Sequence, residues 1–426
     1  MKFTRLAFAA TVSAALLLSA CSSSDDGSSG GSDGDKAASS GPITDKDVAT
    51  ALAYVGGEGG KADSSLDPFV IGFVNNQGGV PSFQEQEAAA DGAVYLINNK
   101  LGGIDGHPVE LKKCFIQAEE DGQKCAGQLL DAKVNVGVLA LSVFGNKSFY
   151  DLVGQKFPVI NSVSVMPEDS TSKDVYALDG GGLGAMYAMA QNAEDAGYKS
   201  LAIITTSNPA GKFLLANVVL PDLKARGIAA KVAYMDEGST TPQYVTALQT
   251  TGAATADAVQ LIPSGVAGCV ATYDAMKQIS LKKPVVTVIT CSNDPMPEKT
   301  GGGADGWILS GQSDIMEVNT DQSNTVRHSM EAQGGDKFIN IGNVPKGFGD
   351  ILSLAKFART IGYDKITPEA MNEQILAFKG PDGMIPGTID GGAHTLQPGL
   401  CGNAASNVVY KDGKWEPLEP YKMTVK

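Results

Sequence analysis

From about residue 69 onward, short apolar runs rich in β-branched and aromatic side chains alternate with longer stretches in which apolar positions recur every three to four residues. The first pattern suits a strand buried on both faces, and the second an amphipathic helix. Read in order, the chain predicts strand Phe69 to Val74, helix Phe83 to Asn98, strand Val109 to Phe115, helix Gly122 to Asp131 and strand Val134 to Leu141. Helix Asn146 to Gln155 leads to strand Phe157 to Ile160, and a strand-like run from Val175 to Leu178 follows. Helix Leu183 to Ala196 then precedes strand Leu201 to Thr205, and helix Gly211 to Lys224 precedes strand Ala229 to Met235. Helix Gln243 to Thr251, strand Ala258 to Ile262, helix Cys269 to Gln278, strand Val285 to Ile289 and strand Trp307 to Leu309 continue the alternation. Three helices, Asp321 to Gln333, Gly349 to Ile361 and Pro368 to Phe378, close it.

Such alternation calls for βαβ units and parallel sheets covered on both faces, the α/β class. The units are too many for one doubly wound sheet and lack the eightfold regularity of a barrel, so two doubly wound lobes are expected. A chain of 426 residues also exceeds what one core usually supports. Asp179-Gly180-Gly181-Gly182 breaks the alternation where the chain would cross between lobes, and a second crossing is expected near Ser310 to Asp314. The expected division is residues 69–180 with 312–395 for one lobe, and residues 181–311 with 396–426 for the other. Residues 22–68 are read as a tether and N-terminal extension, with a short helix from Asp47 to Tyr54 to which the pattern assigns no role.

Composition narrows the partners. With 43% hydrophobic and 19% charged residues the chain is globular, and a net charge of −14 offers a polyanion no counterion release, which excludes nucleic acid as a partner. The extreme N-terminus reads as an export signal: Lys2 and Arg5 are followed by an apolar run from Leu6 to Leu18, shorter than the ~20 residues of a spanning helix. Leu18-Ser19-Ala20-Cys21 resembles a bacterial lipobox, so residues 1–21 are expected to be a lipoprotein signal and Cys21 the acylated N-terminus of the processed chain. This places the protein outside the cytoplasm, lipid-anchored to the outer face of the cell membrane, and as a monomer. Ser22 to Pro42 is almost wholly Ser, Gly, Asp and Ala, the composition of a flexible tether. Gly30-Gly31-Ser32-Asp33-Gly34 matches the spacing of a nucleophile elbow but lacks the strand and helix that an elbow needs.

Export makes disulfides permissible. Cys114 follows a strand and Cys125 lies in the next helix, while Cys269 and Cys291 sit just beyond two successive strands. The reading pairs Cys114 with Cys125 and Cys269 with Cys291 and leaves Cys401 over, with Cys291 to Cys401 as the open alternative. No Cys-x-x-Cys occurs, and His107, His328 and His394 stand apart in turn, helix and Gly-rich loop, so neither a metal nor another cofactor is expected. No phosphate loop is present, and Gly180-Gly181-Gly182-Leu183-Gly184 does not complete a dinucleotide fingerprint. The chain is not read as an enzyme.

In open parallel sheets ligands bind beyond the carboxyl ends of the strands. Here those ends carry small polar loops: Asn75 to Gly79, Ser142 to Asn146 and Asn161 to Ser164 in the first lobe. Thr205 to Asn208, Pro263 to Gly265 and Thr290 to Asp294 are their counterparts in the second. Hydroxyls, amides and free backbone N–H groups at helix starts can hold a small polar molecule, although the same residue types also cap helices and turn chains.

The span from Gln84 to Leu111, with Ile97-Asn98 closing a helix and Gly102-Gly103-Ile104-Asp105-Gly106 turning into a strand, resembles the leucine/isoleucine/valine-binding family of periplasmic-type solute receptors. The resemblance implies a type I periplasmic binding protein fold: lobes joined by a three-crossing hinge, closing on a small-molecule solute and delivering it to the permease subunits of an ABC importer. The rival is a sensory lipoprotein that binds a ligand without transport. The resemblance puts the family's carboxylate-binding serine on Ser142 and its next loop on Val163 to Val165. It puts the second-lobe aromatics near Ala210 and Gly265 and the acid that meets the ligand ammonium near Thr290. None of these is aromatic or acidic, which argues against an α-amino acid, with Asp294 as the acid that could substitute. Taken with the loops, the candidate ligand contacts are Gln77, Ser142, Phe144, Asn146, Val163, Ser164, Ser207, Asn208, Gly265, Thr290 and Asp294.

Overall fold

The computed structural model describes residues 43–426, except Ser264, Asn293, Asp294, Gly301, Gly302, residues 382–388, His394, Thr395 and residues 423–425. The expected export signal with Cys21, the polar run up to Pro42, Asp294 and His394 thus lie outside the described residues. The chain begins with α1 (Asp45–Val55), β1 (Phe69–Asn76), α2 (Gln84–Lys100), β2 (Val109–Ile116), α3 (Asp121–Asp131) and β3 (Val136–Leu139). It continues through α4 (Asn146–Val153), β4 (Val159–Asn161), α5 (Pro167–Thr171) and β5 (Val175–Tyr176). These strands form a five-stranded parallel sheet in the order β2-β1-β3-β4-β5.

The next stretch runs α6 (Gly181–Asp195), β6 (Ser200–Thr206), α7 (Pro209–Leu214), a π-helical turn (Leu215–Val219), α8 (Leu220–Ala225), β7 (Ala229–Met235) and α9 (Thr241–Thr250). Then come β8 (Ala258–Ile262), α10 (Val266–Gln278), β9 (Val285–Val288), α11 (Pro295–Thr300) and β10 (Ile308–Gly311). The helix expected from Gly211 to Lys224 is therefore present but widened in its middle. Pro221 has no N–H for the carbonyl four residues back, and a π turn accommodates that gap. After α12 (Asp321–Glu331), α13 (Val344–Ile361) and α14 (Pro368–Ala377), the chain ends in β11 (Ala404–Lys411) and β12 (Lys414–Lys422).

The second sheet has seven strands, β12-β11-β10-β9-β8-β6-β7. From β7 to β10 it is parallel and repeats the order of the first sheet, whereas β11 and β12 are antiparallel. The hairpin turns on Asp412 and Gly413, both with positive φ, as a two-residue Asp-Gly turn requires. Pro417 is tolerated in β12 because that strand is an edge. In each sheet the order reverses beside its first strand, at β1/β3 and at β6/β8. That reversal opens a crevice at the carboxyl ends of the strands.

Both faces of both sheets are covered. One core of the first sheet gathers Phe73, Leu96, Ile97, Ile351 and Phe357, and the other gathers Leu129, Phe149 and Phe157. The second sheet has Leu248, Met276 and Leu309 on one side and Met189, Leu215 and Leu223 on the other. The helix expected at Asp47 to Tyr54 is α1, and it has a role: Ile43, Ala51 and Val55 join the core of the first sheet, against α12 and α13. Cys114–Cys125 and Cys269–Cys291 are disulfides, with Cα atoms 5.4 and 5.6 Å apart. Cys401 keeps a buried thiol, which closes the alternative pairing with Cys291.

The chain passes between the sheets at Asp179–Gly180, around Gln312 to Asp314, and again at Leu400 to Gly402, in accord with the three-crossing hinge. The first and last crossings run side by side: Cys401 N–H donates to the Ala177 carbonyl at 2.9 Å and Gly402 N–H to that of Asp179 at 2.9 Å. Beneath them Lys346 on α13 is buried between Asp179 and Asp350, its Nζ 2.9 and 3.0 Å from their carboxyl oxygens.

Candidate functional site

A cleft of about 360 Å³ lies between the carboxyl ends of the two sheets. From the first lobe it is walled by Pro81, Ser82, Phe83 and Glu85 after β1, Leu141 and Val143 after β3, and Val163 and Val165 after β4. Ile341, Gly342 and Asn343 complete that wall ahead of α13. The second lobe supplies Ala185 and Met186 of α6, Thr206 and Asn208 after β6, Glu237 after β7, and Pro263, Gly265 and Val266 after β8. Val288, Ile289 and Thr290 follow β9, and Gln312 stands at the second crossing.

Close packing fixes how the walls meet. A Cβ on Gly342 would lie 2.5 Å from the Ile289 carbonyl oxygen, so the first-lobe segment rests on the second-lobe backbone only because a glycine stands there. Gly182 is equally constrained: its N–H donates to the Ser164 carbonyl at 2.7 Å, and an added Cβ would come as close to that oxygen as 2.7 Å. Asn208 shapes the other rim. Its Oδ1 accepts from Gly211 N–H at 2.8 Å, capping α7, with Pro209 as first helical residue.

Among the sequence-predicted contacts, Val163, Asn208, Gly265 and Thr290 are on the cleft wall. Of the others, Asp294 lies outside the described residues, and Gln77, Ser142, Phe144, Asn146, Ser164 and Ser207 do not line the cleft. Ser142 is fully buried and its hydroxyl donates to the Phe144 carbonyl at 2.6 Å. Phe144 packs against the core that holds Phe149 and Leu129, and the next residue's amide, Gly145 N–H, donates to the Glu119 carboxylate at 2.7 Å. Asn146 donates to Asp169 at 2.7 Å, and Gln77 donates to Glu87 at 2.6 Å. The Ser207 hydroxyl donates to Asp236, while Ser164 is fully buried.

Asp169 organises the floor of the first-lobe wall. It accepts from Asn146, from the Tyr150 hydroxyl at 2.9 Å and from the amides of Val165 and Met166 at 3.0 and 2.8 Å. Burial pushes its carboxyl up to about 7, against the pull of those donors. The loop that carries Val163 and Val165 is thereby pinned from below.

The residue that the sequence reading missed is Glu85. It lies in the first turn of α2, 6% exposed, and lines the cleft. Burial raises its carboxyl to about 7, and its own amide is what draws it back. In the sequence it reads as an ordinary acid complementing a helix dipole, within Gln84-Glu85-Gln86-Glu87, and only its burial beside the cleft reveals otherwise. Glu237, exposed on the opposite rim, is the second carboxylate. Most of the remaining lining is aliphatic, and among the described residues no lysine, arginine or histidine lines the cleft.

His107 stacks on Tyr363 with ring centroids 3.4 Å apart and bonds the Asp67 carbonyl, and His328 bonds Asp47. Among the described residues no cluster of acidic, His and Cys side chains could hold a metal, and no helix is long and apolar enough to cross a membrane.

Two α/β lobes with a solute-sized crevice at facing strand ends have the geometry of a small-molecule binding protein. The chain belongs to the periplasmic binding protein family, whose model matches residues 68–401, and its role is to bind a substrate outside the cytoplasm. Solved structures share the fold at low identity. An ABC transporter substrate-binding protein from Sphaerobacter thermophilus superposes with a TM-score of 0.69 at 15% identity, over 84% of this chain and 98% of that one. A solute-binding protein of an ABC transporter from R. palustris, in complex with 4-hydroxybenzoate, gives 0.68 at 16% identity over the same shares, 84% and 98%. A branched-chain amino acid ABC transporter protein from Thermus thermophilus with bound valine gives 0.69 at 13%, again over 84% and 98%. No curated protein matches the chain.

Proposed function

We propose that this protein is a lipoprotein, anchored through Cys21 to the outer face of the cell membrane. As a monomer it captures a small, largely apolar molecule between its lobes and passes it to the permease subunits of an ABC importer. The observation that carries the reading is the cleft: both sheets turn their carboxyl ends and their order reversals toward one space of about 360 Å³. That volume is at the lower end of small-molecule sites. Val163, Asn208, Gly265 and Thr290 are the contacts that the sequence and the cleft have in common, joined by Phe83, Glu85, Met186 and Gln312. The lobes are residues 69–180 with 312–395, and 181–311 with 396–426. A ligand that bridges both walls favours the closed state by its differential affinity for it. The lipobox and the polar run after it support the anchor, and the neighbours' transporter assignments support delivery.

The test is ligand-dependent thermal stabilisation across a library of apolar solutes, since a molecule bound only by folded protein must raise its stability. Absence of any shift would remove the capture reading. Cys21→Ser is expected to leave the protein without acyl chains, and normal acylation of that variant would remove the anchor.

A further inference from the structure

Resting on the solute-capture reading, we infer that the ligand joins an apolar body to a nitrogen head group, an ammonium or a primary amide, which donates to the Glu85 carboxyl group. Three observations carry this. Glu85 lines the cleft at 6% exposure, so its carboxyl group has left most of its water behind. Its hydrogen-bonding partner within the protein is its own amide, and no cationic side chain contributes to its electrostatics. A buried polar group without a full set of partners is costly, and a ligand that donates to it recovers that cost on binding. The cleft also disfavours the opposite choice: among the described residues its ionisable lining groups are Glu85 and Glu237, so a carboxylate ligand finds no compensating cation and, wherever those acids are ionised, meets like charge. The rest of the wall, including Met186, Val163 and Ile289, is apolar and takes the body of the molecule.

The experiment uses the full chain in lipid nanodiscs, with empty nanodiscs as background, and isothermal titration of a small matrix of probes. Cyclohexylmethyl, 3-phenylpropyl and adamantylmethyl bodies each carry an amine, a primary amide or a carboxylate. On every body that binds, the amine or the amide is expected to bind roughly 10- to 100-fold more tightly than the carboxylate, the range that a charge-assisted hydrogen bond supplies. Glu85→Gln, nearly isosteric, is expected to weaken the amine at least about tenfold while leaving the amide within about threefold, which also reports that the variant's cleft is intact. A carboxylate that binds as well as its amine and amide partners overturns the inference and leaves capture standing. Glu85→Gln without effect on the amine does the same. Binding of no probe with any head overturns the capture reading and this inference with it. The head-group order in the unmutated protein decides the matter even if the variant does not fold.

Discussion

Lys346 and Asp179 meet at 2.9 Å directly beneath the first crossing, with neither side chain more than 1% exposed. Burial pushes the Asp179 carboxyl up, and the Lys346 ammonium pulls it back toward the ionised form. Asp350 at 3.0 Å shares the same ammonium. One cation thus serves two buried acids at the place about which the lobes must move. Truncating it leaves both without compensation, so Lys346→Ala is expected to destabilise the protein by about 3–5 kcal/mol. Denaturant titration of the variant against the unchanged protein measures this. A loss below about 1 kcal/mol would show that the triplet does not hold the hinge.

Glu85 makes a prediction about pH that needs no ligand. Its folded value is about 7 against an ordinary 4.5, so between those values the folded chain holds a proton that the unfolded chain has released. Stability falls wherever the native state binds more protons, so this residue lowers stability as pH rises from about 4.5 to about 7, and no further above that. The full loss is about 3 kcal/mol, at about 1.4 kcal/mol per pK unit. Glu85→Gln has no such proton, and it is expected to be more stable than the parent at pH 8 but not at pH 4. Because Asp169 has a similar raised value, the quantity to follow is the difference between the two proteins across that range. A difference that stays constant with pH would reject the assignment.

Most of the fold was legible because buried parallel strands are nearly continuous apolar runs, and β1, β6 and β8 appear within two residues of where the pattern puts them. The C-terminal hairpin was not seen, although Asp412-Gly413 is the strongest short-range signal for one. Pro417 and the charged residues of an edge strand hid its alternation. The cleft was harder to read. Loop composition correctly directs attention to the strand ends, but it cannot tell a hydroxyl that faces a ligand from one that caps its own turn, as the Ser142 hydroxyl does at Phe144. Glu85 failed the opposite way: its signal is burial beside the cleft, and burial of a helix-start acid depends on how the chain packs in three dimensions. Sequence spacing holds no record of that packing.

Asp47 ties the N-terminal extension to the lobe. Its carboxylate accepts from the Thr44 amide at 2.7 Å, closing the capping box of α1, and from His328 Nδ1 on α12 at 2.8 Å. Burial pushes its carboxyl up, but the Thr44 and His328 hydrogen bonds outweigh it and hold the value below 3.8. A lowered carboxyl stabilises the folded state above its unfolded value and loses that contribution as pH falls through the folded one. Asp47→Ala is therefore expected to cost about 1–2 kcal/mol at pH 7, the worth of a cap with a second hydrogen bond. That cost should shrink as pH falls through the lowered folded value. Melting curves of both proteins from pH 7 downward check this, and a cost that grew toward acid would contradict it.

The two disulfides separate stability from binding. Cys114–Cys125 closes a separation of 11 residues at the foot of α3, within the core shared with α4, and Cys269–Cys291 closes 22. Loop entropy gives both a similar worth, about 3 kcal/mol each, so replacing either pair with serine is expected to lower stability comparably. Their positions differ in consequence. Cys291 follows Thr290 on the cleft wall, and its bridge clamps the start of α10, where Gly265 and Val266 also line the cleft. Cys114 and Cys125 contribute nothing to that wall. Removal of the Cys269–Cys291 bridge is therefore expected to weaken any cleft ligand several-fold, because the wall must be ordered at the expense of binding. Removal of Cys114–Cys125 is expected to leave affinity within about twofold. Titration of the two double-serine variants, under conditions where both are folded, distinguishes them. Equal losses of affinity would mean that the bridge beside Thr290 does not set the geometry of the cleft.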